Sequence, residues 1–546
     1  MEQERLSAPE YSDVIVAGGG LAGLTLALQL KQRMPSLSIT VVERRKHPVP
    51  HGAHKVGESS VEIGAHYFEK ILGLKHHLDQ AQLKKFGFRF FFSDGRSDLH
   101  NVTELGASRV LSTPSYQLDR GIFENELARL AQEKGVRFID GAVIRSVELG
   151  DSRQDHHVVW EVNGQTCRAT ARWLCDASGR AGLVKRKLGL AELNDHDANA
   201  VWFRIAERID VNDWSTDEQW LDRCNPRSRW LSTNHLVGEG YWAWLIPLAS
   251  GSHSVGIVGD AKLHPIEQIN TFDKAMVWLG KHQPQLFAAL DTRRDKLQDF
   301  AFFKRFSYGC KKVFSGADRW ALTGEAGLFL DPFYSPGSDF IAISNSYITE
   351  LIAIDQAGGA TALMADIYEQ IYFSLYQNML TLYTDQYRIF GDPEVMPVKV
   401  LWDYTYYWGI MCQLFFQNKL IDVSCMARMR SRLAAIQVIN VEMQLFLRAW
   451  NLVSAKRNPP QMLDQASLPW FAQLNKELRD DLSDEQFVAR IDQQLLQLQC
   501  LAAEIVVVSR RDYPTLDASA LVGLLDHEVF ARAQGRSVQF LFGAAA

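Results

Sequence analysis

A short apolar run, Asp13-Val14-Ile15-Val16-Ala17, stops at Gly18-Gly19-Gly20 and gives way to residues 21–34, which have helical composition. Residues 38–42 form a second β-rich run, so the chain opens as a strand–helix–strand unit. A polar stretch and a phenylalanine-rich run at 86–92 follow; 122–134 has the pattern of an amphipathic helix and 137–139 that of a strand. From about 140 to 260 short strands dominate, among them Val158-Val159-Trp160-Glu161-Val162 and residues 253–258. Trp320-Ala321-Leu322-Thr323-Gly324 reads as one more buried strand returning to the first sheet. After about residue 341 the texture changes to long helical patterns, broken by Gly358-Gly359, Gly391-Asp392-Pro393 and Pro459-Pro460. Ser483 with Gln486 matches a capping box opening a helix that runs to about 505. The expected fold class is α/β. A discontinuous Rossmann-like domain (11–185 and 310–355) interleaves with a β-rich substrate domain (186–309), and a helical C-terminal region (356–546) follows.

Composition narrows the function classes. Of 546 residues, 47% are hydrophobic and 22% charged, which excludes a disordered or fibrous chain. No apolar run reaches the ~18–20 residues that span a bilayer, and residues 1–10 are polar. A cytoplasmic protein without a membrane span is expected. The net charge of −6 comes with no basic block, so no nucleic-acid partner is expected. Seven scattered cysteines without a C-x-x-C pair, and fifteen histidines without H-x-x-x-H spacing, imply neither a disulfide framework nor a metal site.

Gly18-Gly19-Gly20-Leu21-Ala22-Gly23 fits G-x-G-x-x-G between a strand and a helix, and Glu43 follows at the end of the second strand. Gly18 permits the tight turn, Gly20 lets a pyrophosphate approach the backbone, and Gly23 packs helix on sheet. The helix N-terminus offers free N–H groups to phosphate, and Glu43 can accept from a ribose diol. Two later segments, Leu174-Cys175-Asp176-Ala177-Ser178-Gly179-Arg180 and Leu322-Thr323-Gly324-Glu325-Ala326-Gly327, resemble fingerprints of glutathione-reductase-type FAD proteins. Arg120 is similar to the arginine those proteins place near the cofactor. The cofactor implied is FAD.

Four further motifs resemble those of the flavin-dependent halogenases, in the phenol- and pyrrole-type branch. They are Val56-Gly57-Glu58-Ser59, Lys85-Phe86-Gly87-Phe88-Arg89-Phe90, Trp242-Ala243-Trp244-Leu245-Ile246-Pro247 and Asp331-Pro332-Phe333-Tyr334-Ser335-Pro336-Gly337. The resemblance covers roughly residues 12–350. It implies an FADH2-dependent enzyme, supplied by a separate flavin reductase, in which O2 and chloride or bromide yield hypohalous acid through a flavin hydroperoxide. The acid would pass to Lys85 and halogenate a small electron-rich, phenol-like aromatic, free or carrier-tethered. The implied flavin residues are Gly18, Gly20, Ala22, Gly23, Glu43, Arg44, Gly57, Glu58, Arg120, Asp176, Gly324 and Glu325. The halide falls to Ser335, Gly337 and Ser338, and the substrate channel to Trp242 and Trp244.

An ammonium is a compact donor with a tunable pKa, suited to holding hypohalous acid. Strand parity puts Phe86, Phe88, Phe90, Phe92 and Lys84 on one face and Lys85, Gly87 and Arg89 on the other. Lys85 reads either as that catalytic group or as a solvated edge lysine. Trp242 and Trp244 share a face, as core or as a wall between substrate and flavin. Pro336 stands where a backbone N–H would serve the halide, and it has none. That departure keeps a monooxygenase or oxidase of an aromatic substrate as the alternative. The cluster Trp402, Tyr404, Tyr406, Tyr407, Trp408, Phe415 and Phe416 reads as helical core or as a lid over a flat ring. No general base for a phenol stands out.

Overall fold

The computed structural model describes residues 10–51, 57–535 and 541–542. The strand Glu10–Ala17 is apolar from Val14 on because it is interior to a parallel sheet. It lies between Gln165–Asp176 and Ile39–Val42, parallel to both. Arg137–Ile139 extends the sheet on one side, and Trp320–Leu322 returns parallel to Gln165–Asp176 on the other. Helices Leu21–Arg33, Arg120–Glu133 and Gly337–Gln356 pack together beside it. Asp119 caps the second of these by accepting from the Gly121 and Ile122 N–H groups.

The second sheet runs Leu297–Phe303, Ala198–Ile205, His253–Asp260, Tyr241–Pro247, Thr233–Gly238, Phe88–Phe91, Glu104–Gly106, Met462–Asp464. Two of these strands lie within 88–106, a stretch counted by sequence with the nucleotide-binding domain, and a third comes from the helical region. Apolar alternation reports burial and not partner, so it cannot assign a strand to a sheet.

The phenylalanine-rich run is not one strand. Gly87 has φ +76, a left-handed conformation that interrupts the alternation. Leu83–Lys84 pairs with Tyr116–Gln117, and the sheet strand begins only at Phe88. The helical region packs Val423–Val453 against Val395–Tyr406 and Asp484–Asp512. Both halves of the Ser483/Gln486 capping box are formed. Among the described helices Asp484–Asp512 alone is long and apolar enough to cross a membrane by length and composition. The helix interleaves polar residues with its apolar ones, which is why no uninterrupted run marks it in the sequence; 50% of its apolar window is buried in the protein.

Candidate active site

A cavity of about 830 Å³ opens between the two sheets, within the ~300–1,000 Å³ usual for cofactor sites. Gly18, Gly20, Ala22, Glu43 and Arg44 line it, and so do Trp242, Trp244, Ser335, Gly337 and Ser338. Gly57, Glu58, Arg120, Gly324 and Glu325 are in the wall as well. Gly23 and Asp176 are not.

The glycine turn is closed by contact. A Cβ on Gly23 would meet the Gly18 carbonyl oxygen at 1.9 Å, and one on Gly18 (φ +114) would meet that of Ala177 at 2.4 Å. The Glu43 carboxylate accepts from Gly19 N–H (2.6 Å) and Arg45 N–H (2.8 Å), so it holds the turn as well as facing the cavity. Glu43→Arg is therefore expected to raise the Kd for FAD at least tenfold. It removes charge-assisted hydrogen bonds worth ~1.5–3 kcal/mol each and puts a cation against the turn. Flavin-fluorescence titration checks this, and an unchanged Kd takes Glu43 out of the site.

Asp176 lies beneath its loop. It accepts from Ser178 N–H (3.0 Å) and Val184 N–H (2.8 Å), and burial pushes its carboxyl up. Its role is to shape the turn 177–181, whose residues reach the cavity in its place. The sequence reading of Asp176 as a direct contact is corrected accordingly: a strand-end carboxylate is drawn to the backbone N–H groups that follow it. Glu58 is buried against the Arg204 guanidinium (2.6 Å), which also pairs with Asp299. Arg120 pairs with Glu124 (2.6 Å) and donates to the Gly57 carbonyl (3.3 Å), tying down the loop at that point. Burial lowers its pKa to about 10. Val56, the first residue of that motif, lies outside the described residues.

Trp242 and Trp244 share a face of Tyr241–Pro247 and are both buried. Gly256 stands opposite Trp244, and a Cβ there would meet the indole at 2.2 Å, so the glycine lets the ring lie flat over the neighbouring strand. Trp242 donates to Tyr387 (3.2 Å), which in turn bonds Asp331 together with His196. Asp331 is thereby anchored to the helical region. Ser335 has φ +54, and Pro336 is the N-cap of Gly337–Gln356. The Ser338 hydroxyl is buried without a hydrogen-bond partner.

Lys85 is 4% exposed, whereas Lys84 is exposed. Its Nζ donates to the Ser59 hydroxyl (2.9 Å) and the Ser60 carbonyl (3.2 Å), and it sits 3.4 Å above the Phe88 ring. The expected facing is corrected here. The left-handed Gly87 puts Lys85 on the side of Phe88, while Phe86 lies beneath Arg89 on the other side. Ser59 lines the large cavity and bonds Thr233 (3.1 Å), so its hydroxyl joins Lys85 to that space. Burial lowers the Lys85 ammonium to about 7, opposed by Glu62 and Asp339. Lys85 also lines a second void of about 30 Å³, walled by Glu62, Phe88, Tyr404, Trp408 and Phe471.

Residues 11–302, more than half of the chain, match the family described as FAD binding domain. The flavin-dependent halogenase chlA of Dictyostelium discoideum is 27% identical over 435 residues, 73% of this chain and 70% of that protein. The 1H-pyrrole-2-carbonyl-(peptidyl-carrier protein) chlorinase of Pseudomonas fluorescens is 27% identical over 340 residues, covering 60% of this chain and 72% of that one. The chain belongs to the flavin-dependent halogenases. Its fold is also that of halogenase PltM solved with phloroglucinol and FAD, at TM-score 0.63 and 17% identity over 90% of this chain and 96% of that one.

This halogenase binds FAD. The glycine turn, the helix N-terminus at Leu21 and the size of the cavity fit that cofactor. Among the described residues no cluster of His, Cys, Asp and Glu could hold a metal, and no disulfide is formed. The aromatic cluster divides. Trp402 donates to Asn440 (2.8 Å) inside the helical region, whereas Tyr404 and Trp408 wall the small void. A π-helical turn at Tyr407–Cys412 widens the helix there, and the Tyr407 hydroxyl donates to Asp339 (2.7 Å).

Three site residues escape the sequence reading. His235 lines the large cavity among Phe88, Phe90, Phe333 and Trp242, and burial lowers its pKa to about 3, keeping it neutral. Asp339 accepts from Gly64 N–H (2.8 Å), and burial raises its carboxyl to about 8. Glu62 stands beside Lys85's void. A lone acid inside the apolar stretch Val61-Glu62-Ile63-Gly64-Ala65 is the one signal that marks it in the sequence.

Proposed function

We propose that this halogenase uses FADH2 from a separate flavin reductase, O2 and chloride or bromide to halogenate an electron-rich, phenol-like aromatic at Lys85. The observation that carries this is the buried ammonium bonded through Ser59 to the flavin-sized cavity, with an aromatic-walled void beyond it. Reduced FAD with O2 and halide supplies hypohalous acid; the rest is the work of the chain. Gly337 and Ser338, at a helix N-terminus with an unpartnered hydroxyl, hold the halide beside Ser335. Trp242 and Trp244 keep an organic ring away from the flavin end. The Ser59 and Thr233 hydroxyls guide hypohalous acid to Lys85, whose ammonium donates to its oxygen. The acceptor is a free small aromatic, with a carrier-tethered one the alternative, since the Pseudomonas chlorinase acts on a carrier-linked pyrrole. The test is mass spectrometry of phenols and pyrroles incubated with the protein, FAD, a flavin reductase, O2 and bromide. A bromine isotope pattern is expected, and its absence across the panel defeats the proposal.

Pro336 favours a second reading, an aromatic monooxygenase or oxidase, because it removes one N–H donor from the halide turn. Reduction of the bound flavin by NAD(P)H alone, with oxygen and no halogen in the product, would establish it. On the halogenase reading, Pro336→Thr should lower the halide concentration for half-maximal product several-fold. The backbone φ of −75 suits threonine, and one regained hydrogen bond nets ~0.5–1.5 kcal/mol, somewhat more to an anion. A flat response in a folded variant moves the anion elsewhere.

A further inference from the structure

Glu62 is a buried acid for which the roles described so far give no use. It is 7% exposed, yet its Oε2 has no hydrogen-bond partner. The Trp408 indole N–H also has no hydrogen-bond partner, and burial raises the Glu62 carboxyl, opposed by Trp408 and by the Lys85 charge. Both groups line the small void, and Lys85 lines it too. The ammonium spends its bonds on Ser59, Ser60 and the Phe88 face, and makes no direct ion pair with Glu62. A lysine and an acid with one unpartnered oxygen thus face one cavity walled by aromatic rings. Burying a carboxyl oxygen without a partner is costly, and such a group beside a lysine of shifted pKa in one cavity marks a candidate functional site.

We propose that Glu62 is a catalytic residue that accepts the hydrogen bond of a ring hydroxyl, making hydroxyaromatics the acceptor class of the Lys85 void. The inference rests on the halogenase reading, with Lys85 holding hypohalous acid. The step balances with the residues present. A ring π pair forms the carbon–halogen bond while the oxygen–halogen pair leaves with oxygen, so carbon is oxidised and halogen reduced. The leaving hydroxide takes a proton from the Lys85 ammonium and becomes water. The hydroxyl proton of the ring passes to Glu62, giving a neutral dienone instead of a buried cation. Loss of the proton on the halogenated carbon to the Lys85 amine and return of the Glu62 proton to the ring oxygen regenerate both residues and yield the halophenol.

At about 30 Å³ the void holds water and not a ring. Admission requires the outer wall to give, and that wall includes Arg109, Val110 and Leu111, with Val110 47% exposed. Glu62 and Lys85 line the void before that movement.

The experiment compares FAD-loaded wild type, Glu62→Gln and Glu62→Asp on phloroglucinol and on 1,3,5-trimethoxybenzene, which is electron-rich but has no hydroxyl. Product and hypohalous acid trapped by a thiol probe are both measured. Glu62→Gln should lose about 100-fold in kcat on phloroglucinol, keep its hypohalous acid output and keep whatever rate it has on the ether. Glu62→Asp should recover part of the loss. Equal loss on both substrates, or wild-type rates on phloroglucinol, overturns the assignment. Calorimetric binding of phloroglucinol to the same proteins separates the two claims, since it needs no turnover. A roughly tenfold weaker Kd in Glu62→Gln, with the ether unaffected, is expected. If that difference appears while wild type makes neither halogenated product nor hypohalous acid, the halogenase reading fails and Glu62's recognition of a hydroxyl stands. If it is absent while halogenation is intact, the Glu62 inference fails alone.

Discussion

Lys85→Met is expected to abolish halogenated product while FAD binding and oxygen consumption by the reduced flavin stay near wild type. Methionine keeps the length and the apolar stem and still covers Phe88, but it loses the donor to Ser59 and to hypohalous acid. Removing a positioned proton donor costs ~100-fold or more, beyond any packing artefact at this site. Lys84→Met is the control, because Lys84 is exposed while Lys85 is enclosed. Near-native halogenation by the Lys85 variant defeats the lysine relay, and the monooxygenase reading then moves ahead. The pH dependence follows from the same group. Burial sets its ammonium near 7, so the protonated donor is depleted as pH rises through that value. Halogenation per flavin turnover should therefore fall from pH 6 to pH 8 in wild type. Conversion that instead rises over the interval would assign the reactive form to the neutral amine.

Gly23→Val should cost at least 100-fold in FAD affinity and yield protein that purifies without yellow colour. The added Cβ would sit 1.9 Å from the Gly18 carbonyl oxygen and 3.1 Å from Val16, so strand and helix must separate at the turn. Overpacking of this kind costs ~1–3 kcal/mol even where side chains give way, and here the obstacle is backbone. The turn that faces the pyrophosphate is displaced with it. Flavin-fluorescence titration reads the affinity and circular dichroism the fold. A Kd within threefold of wild type would show that the turn is not where the cofactor is gripped.

The local features of the nucleotide-binding end were legible because they are local physics. A strand ending in Gly18-Gly19-Gly20, a helix after it and Glu43 at the end of the next strand are within one strand–helix–strand unit, and their roles follow from turn geometry and helix-end N–H groups. The capping box at Ser483 and the shared face of Trp242 and Trp244 rest likewise on spacing within one element. Lys85 marks the limit of such reasoning. Parity placed it opposite Phe88, yet a left-handed Gly87 turned it onto the same side. A strand pattern carries its period only as far as the backbone stays extended. Asp176 shows the same limit in another form: the strand end was read correctly, but backbone N–H groups claimed the carboxylate.

The second compartment was decided by tertiary structure alone. Glu62 comes from a short N-terminal helix, Lys85 from the turn before a strand, Tyr404 and Trp408 from the helical region, and Phe471 from a later helix. Each reads by itself as core, because composition and periodicity report that a residue is buried but not what it is buried against. The unpartnered Oε2 of Glu62 becomes visible only when every neighbour is known, since an unmade hydrogen bond is a property of the assembled environment and not of the residue.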